Sequence, residues 1–267
     1  MYETLEVGAQ HKPPKLLHFA AELPRTLAEA ASLPLSWSSL LWHAKRGDGH
    51  PVMVLPGFTA SDTSTLMLRR FLDQLGYRSI PWGLGRNTGN PRQIFQLEDR
   101  FQQVLESEGQ PISLIGQSLG GVYSRGLARE WPEHVRQVVT LGSPFAVQDS
   151  GSVNRVVQSL FERMSGTDVD HMKEQISERL HGLPLEVPAT SIFSRSDGVV
   201  GWRTCIEPET ERAQNIEIFG SHSGMAMNPV VLHILADRLA QFPERWNKFE
   251  PRHAWVRLAL PRRQVWV

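Results

Sequence analysis

From Pro51 onward the chain alternates between two hydrophobic rhythms. Short unbroken apolar runs give way to longer stretches in which apolar residues return every three or four positions. The first pattern predicts buried strands and the second amphipathic helices. Val52-Met53-Val54-Leu55 is the first strand, closing on Pro56-Gly57. Ser61 and Asp62 stand where a helix through Leu75 would be capped, and Gly76 would stop it. Tyr77–Trp82 reads as a strand, followed by the glycine-rich loop from Gly83 to Gly89. A helix from about Gln93 to Glu108 carries Ile94, Leu97, Phe101, Val104 and Leu105 on one face. A strand from Ile112, a helix from Val122 to Trp131 and a strand from Val135 to Leu141 follow. Thr190–Phe193, Ile216–Phe219 and a helix from Val230 to Gln241 complete the series. This alternation predicts an α/β fold, a mostly parallel sheet of about six strands flanked by helices.

Three segments fall outside the rhythm. Residues 1–50 read as an N-terminal helical extension, in which Leu16 to Trp42 forms one or two short helices with an apolar face. Glu22, Pro24, Arg25, Glu29 and Pro34 interrupt that stretch, which rules it out as a membrane span. Trp37, Leu40, Leu41 and Trp42 either pack on the domain, the favoured reading, or make a peripheral contact with a lipid surface. Within the main domain, residues 51–245, the stretch from about 145 to 188 is too long for an ordinary connection. Helical patterning near Val153–Met164 and Val169–Leu180 makes it a small helical cap. Residues 246–267 form a C-terminal tail with three tryptophans counted from Phe242.

Composition narrows the function classes. With 267 residues, 40% of them hydrophobic, the chain can bury one large core. Its 28 basic residues balance 28 acidic ones, which argues against a nucleic-acid partner. The polar stretch Met1–Pro14 lacks the apolar core of a secretory signal, and the single Cys205 fits a reducing compartment. A cytoplasmic location is therefore expected. The histidines form no metal-binding pair and no cofactor motif is visible, so neither metal nor cofactor is expected.

The chemistry centres on Gly116-Gln117-Ser118-Leu119-Gly120-Gly121, which follows a strand pattern and precedes a helical one. A G-x-S-x-G pentapeptide occurs by chance, but in this context its serine sits on a strained turn above the sheet. A serine hydroxyl attacks only if an imidazole takes its proton, and that imidazole needs a carboxylate to fix its tautomer. Asp197 follows the strand ending near Phe193, and His222 follows the next strand. The order Ser118, Asp197, His222 puts nucleophile, acid and base at the carboxyl edge of a parallel sheet. His50, His181 and His233 compete weakly as bases, as do Asp149 and Glu133 as acids. Two backbone N–H groups are needed for the oxyanion. Leu119 would supply one and Phe58 the other, with Thr59 next in line. Trp82, Asn87, Phe145 and Val199 are the candidate substrate-binding residues. For Trp82, Arg86 and Asn87 a purely structural loop is equally consistent with the sequence. Cys205 reads as a packed thiol.

These segments resemble those of the α/β-hydrolase superfamily, and within it the chain is similar to bacterial serine esterases and lipases. The resemblance rests on Pro56–Phe58, Trp82–Asn87, Gly116–Gly121, Thr140–Pro144, Ser194–Val200 and Gly220–His222, and spans about residues 50 to 245. Many such esterases carry His-Gly before the oxyanion residue, where this chain has Pro56-Gly57. The resemblance implies hydrolysis of carboxylic esters through an acyl-enzyme. The apolar residues around the serine favour a small-molecule or lipid-like ester. An acyltransferase or thioesterase on the same triad stays open, as does a catalytically silent lipid-binding protein.

Overall fold

The computed structural model describes residues 13–146, 153–165 and 184–261. Among them is one six-stranded, wholly parallel sheet. Its strands are β1 (Pro51–Leu55), β2 (Arg78–Pro81), β3 (Ile112–Gln117), β4 (Val135–Leu141), β5 (Ala189–Phe193) and β6 (Ala213–Glu217), in the order β2-β1-β3-β4-β5-β6. The order reverses direction between β1 and β3. In such sheets the crevice for a ligand opens at the carboxyl ends of the strands flanking that reversal.

Because side chains alternate along a strand, the buried runs feed both faces of the sheet. Val52, Val54, Ile115, Val139, Leu141 and Ile192 join one core cluster, whereas Met53, Leu55, Leu114 and Val138 join another. The first face is covered by α2 (Glu22–His43), α3 (Leu66–Leu75) and α7 (Pro229–Leu239). The second is covered by α4 (Arg92–Glu108), α5 (Leu119–Glu130) and α6 (Arg155–Ser165). The C-terminal residues close the first face: Phe249, and Val256 and Leu260 in and beside α8 (Ala254–Ala259), belong to the same core as α7.

Several boundaries differ from the sequence reading, each for a visible reason. The N-terminal stretch is not a pair of short helices. A five-residue α1 (Leu16–Ala20) precedes the 22-residue α2, which continues through Pro34. Leu33 and Leu40 are buried in the core and Trp37 and Leu41 pack against it, which anchors α2 along its length, while Trp42 is exposed. Asp62 does not cap α3. Its carboxylate accepts the N–H groups of Trp82 (3.0 Å) and Gly83 (3.2 Å), ending β2 before Trp82, and α3 begins only at Leu66. Helix α5 starts at Leu119, three residues earlier than Val122. Strand β6 starts at Ala213, not Ile216. Its polar residues are buried because their amides pair with passing backbone: Asn215 with Glu207 through both its oxygen and its nitrogen, and Gln214 with Phe249. Of the stretch expected to form a cap, α6 is described. The second helix expected near Val169–Leu180, together with Asp149, His181 and Trp266, lies outside the described residues.

His233, on α7, is 7% exposed and its ring meets His253 at 5.4 Å and Trp255 at 5.0 Å. Burial, and then the positive charge that His253, His43 and Lys45 would add against the pull of Asp237, lowers its pKa to about 4. The unfolded chain protonates this imidazole near 6.5. Between pH 6.5 and 4 the unfolded state therefore holds a proton that the native state does not, and stability is lost as pH falls. The loss attributable to this group approaches about 3 kcal/mol. Urea midpoints at pH 7 and pH 4.5 should fall less for His233→Gln than for the unmodified chain. Equal falls would remove His233 as the cause.

Candidate active site

Ser118 sits between the last residue of β3 and the first of α5, with φ 52° and ψ −123°. It and Thr59, at φ 64°, are the non-glycine residues with positive φ among those described. Such a conformation costs on the order of 1–3 kcal/mol and persists only where its surroundings impose it. Here the imposition is close packing: a Cβ on Gly116 would lie 2.3 Å from the Gly121 Cα, and one on Gly120 would lie 2.4 Å from the Leu55 carbonyl oxygen. The hydroxyl of Ser118 does not cap its own helix. Its N–H donates to the Leu141 carbonyl at 2.8 Å, which ties the turn to the end of β4.

The loop after β1 runs directly over this serine, since a Cβ on Gly57 would stand 3.1 Å from the Ser118 Cβ and 3.8 Å from its Oγ. Two candidates for the second oxyanion donor are separated here. Thr59 donates its N–H to the Asn87 carbonyl at 2.7 Å, so that donor is engaged. The Phe58 N–H makes no such bond among the described residues. Leu119, as the first residue of α5, belongs to the helical turn whose N–H groups have no intrahelical acceptor. It also stands at the positive end of the helix dipole.

Asp197 and His222 meet in a buried hydrogen bond, Nδ1 to Oδ2, at 2.6 Å. The other carboxylate oxygen of Asp197 accepts the N–H groups of Val199 (2.8 Å) and Val200 (2.9 Å). These three bonds define the roles of both groups. An ionised carboxylate only accepts, so Nδ1 of His222 carries the hydrogen and Nε2 is left as the basic nitrogen. Burial disfavours the charged imidazole, but the Asp197 carboxylate, with Glu22 behind it, outweighs that penalty and raises the His222 pKa above its ordinary value. The pair is tied to the serine's turn by two routes. A Cβ on Gly142, the residue after Leu141, would lie 3.2 Å from His222 Nδ1 and 3.3 Å from Asp197 Oδ2. The amide of Gln117, the residue before Ser118, donates to the His222 carbonyl at 3.0 Å.

Of the four residues expected to bind substrate, Trp82, Asn87 and Phe145 are buried, and only Val199 lies beside Asp197 with part of its surface exposed. Trp82 is fully buried in the core, its indole donating to the Gly85 carbonyl at 2.9 Å. Asn87 is also fully buried. Its amide donates to the Pro56 carbonyl at 2.9 Å and its backbone pairs with Thr59 and Ala60, so it fixes the loop after β1 from within. Both expectations fail for one reason: the glycine-rich loop folds inward to hold its neighbour. Arg86 is exposed. Phe145 is buried beneath the Arg125 guanidinium, 3.9 Å from its ring centre. Val199 is half-buried, and its carbonyl accepts the Asn154 N–H at 2.9 Å, joining the Asp197 loop to the start of α6. Phe58, by contrast, meets α6: its ring stands 5.1 Å from that of Phe161.

A second Ser-His-Asp chain stands at the amino ends of the strands. His50 bonds Asp48 through Nδ1 at 2.5 Å and Ser113 through Nε2 at 2.8 Å. Burial lowers the His50 pKa, and Ser113 is wholly buried mid-sheet with no helix N-terminus beside it. This arrangement holds the sheet's edge together and offers no access. Cys205 is likewise fully buried, and burial pushes its thiol pKa well up. Among the described residues no group of His, Cys, Asp and Glu could hold a metal ion, and no helix is long and apolar enough to cross a membrane. Sequence reasoning missed Gln117, Glu22 and Glu29 as partners of the Ser118 and His222 loops. Glu22 and Glu29 are seven residues apart on one helix, hence on one face, a spacing that does not say which distant loops they meet.

No family model matches the chain, and no curated protein matches it. Solved structures do. Aspergillus fumigatus lipase B aligns with a TM-score of 0.55 and 17% identity over 74% of this chain and 55% of the lipase, so the chain spans little more than half of that protein. A Paleococcus ferrophilus monoacylglycerol lipase gives 0.49 and 12% over 73% of this chain and 96% of that one. An alpha/beta superfamily hydrolase from Oenococcus oeni gives 0.48 and 15% over 73% and 94%.

Proposed function

On its α/β-hydrolase fold, we propose that this chain is a serine hydrolase of carboxylic esters with Ser118 as nucleophile, His222 as general base and acid, and Asp197 as its orienting carboxylate. The observation that carries the reading is the strained Ser118 turn beside an Asp197–His222 pair whose hydrogen bond leaves Nε2 basic. Ser118 Oγ attacks the ester carbonyl as its proton passes to His222 Nε2. The carbonyl oxygen becomes an oxyanion held by the N–H groups of Phe58 and Leu119. Collapse expels the alcohol, protonated by His222, and leaves the acyl group on Ser118. Water then attacks with His222 as base, releasing the acid and restoring the serine. The raised His222 pKa fits an imidazolium that forms in each half-reaction.

An apolar acyl group suits the surroundings. Phe58 touches Phe161 of the cap, and α6 also exposes Val156 and Leu160. Each methylene withdrawn from water contributes about 0.8 kcal/mol, so p-nitrophenyl octanoate should exceed acetate in kcat/KM by about tenfold or more. A preference for acetate would make this a small-ester esterase.

A further inference from the structure

We infer that Glu22 and Glu29, on the first turns of α2, are positioning residues that brace the two loops carrying Asp197 and His222, and that Glu22 holds negative charge where the His222 imidazolium forms. The inference rests on the roles proposed for Asp197 and His222. Its basis is a set of long-range bonds from a helix outside the strand–helix series. Glu22 accepts the His222 N–H at 2.9 Å and the Ser223 N–H at 3.4 Å on one oxygen, and the Gly198 N–H at 2.9 Å on the other. One side chain thus joins the residue after the acid to the base itself. Glu29, two turns on, accepts the Ser221 N–H at 3.1 Å and the Asn228 amide at 2.9 Å, and the Ser221 hydroxyl also donates to it. Thr26, between them, bonds the same hydroxyl at 3.0 Å.

The loops are shaped to receive this helix. A Cβ on Gly224 would stand within 2 Å of the Glu29 carboxylate, at 1.8 Å, and one on Gly198 would strike the His18 backbone at 2.6 Å. Glu22 is 8% exposed and, among the described residues, has one cationic partner, Arg25, at 2.9 Å. Arg25 also reaches the carbonyls of His18 (3.0 Å) and Gly220 (3.4 Å). Among the described residues Glu22 accepts three backbone N–H groups and the Arg25 guanidinium and donates to nothing, an arrangement that suits a carboxylate. Among the described residues, the charged and titratable groups bonded to His222 or its loop, directly or through Glu22, are Asp197, Glu22, Arg25 and Glu29, with the buried Cys205 thiol beyond Asp197.

The test separates charge from mere packing. His222 is followed by NMR titration of its ring in the full-length chain, assigned with His222→Gln, alongside the pH profile of kcat/KM on a p-nitrophenyl ester. Glu22→Gln keeps an acceptor oxygen and removes the charge, so the His222 titration should move to lower pH. Its kcat should fall by about three- to tenfold with KM nearly unchanged. Arg25→Gln removes the cation that offsets Glu22 and should move the titration to higher pH. Opposite movements are the expected result, and should Glu22→Gln fail to fold, the upward movement in Arg25→Gln carries the test. A titration unmoved by either change, with only the melting temperature lowered, would reduce both residues to packing. The NMR reading does not depend on turnover: loss of all ester cleavage in the unmodified chain would overturn the proposed reaction and leave the brace to stand or fall by the titration.

Discussion

Ser118→Ala is expected to bring ester turnover to background while the chain stays folded. Removing the nucleophile of a serine triad lowers kcat on the order of a millionfold, because what remains is binding and the oxyanion donors. The fold should survive for local reasons. The Ser118 hydroxyl does not cap its helix, and the turn is fixed by the close approach of Gly116 to Gly121 and by the bond from the Ser118 N–H to Leu141, neither of which involves Oγ. Alanine keeps the same Cβ at the same φ. Initial rates on p-nitrophenyl butyrate, read beside thermal unfolding, check both halves. Turnover within tenfold of the unmodified chain in a folded variant would remove Ser118 from the chemistry.

Asp197→Asn should cost nearly as much, by a different route. The Oδ1 of Asp197 accepts two N–H groups, from Val199 and Val200, and only an oxygen can do so. An asparagine must therefore turn its oxygen to those donors and its NH₂ to His222. Nδ1 of the imidazole must then accept, which puts the ring hydrogen on Nε2, where it cannot take the serine's proton. A loss of about 10⁴ in kcat is expected, the size associated with a wrong histidine tautomer, with little change in KM. The loss should shrink at high pH, where hydroxide can remove the serine proton directly. A loss smaller than about tenfold would mean that another group orients His222.

How much of this was legible in the sequence differs from residue to residue. The strand–helix alternation predicts the sheet because parallel strands buried on both faces leave unbroken apolar runs, as at Val52–Leu55. It misplaces β6, whose buried Gln214 and Asn215 look like loop residues until their backbone partners, Phe249 and Glu207, are known. The positions of Ser118, Asp197 and His222 are legible because each follows a strand: β3, β5 and β6. Trp82 and Asn87 were misjudged because the same position after a strand also suits a residue that turns inward to hold the loop, and no local pattern distinguishes the two. Glu22 and Glu29 carried a signal that pointed elsewhere. As charges in an apolar stretch they argue against a membrane span, while their bonds reach loops roughly 170 to 200 residues away, which no periodicity encodes.

The most direct test of the account is where a fluorophosphonate probe reacts. Its phosphorus is attacked by an activated serine, and the adduct's oxygen then occupies the oxyanion site. The account predicts one adduct per folded chain, mapped by peptide mass spectrometry to Ser118 and absent from Ser118→Ala. A folded chain that takes up no probe, or one whose label maps to Ser113 or Ser221, would contradict it.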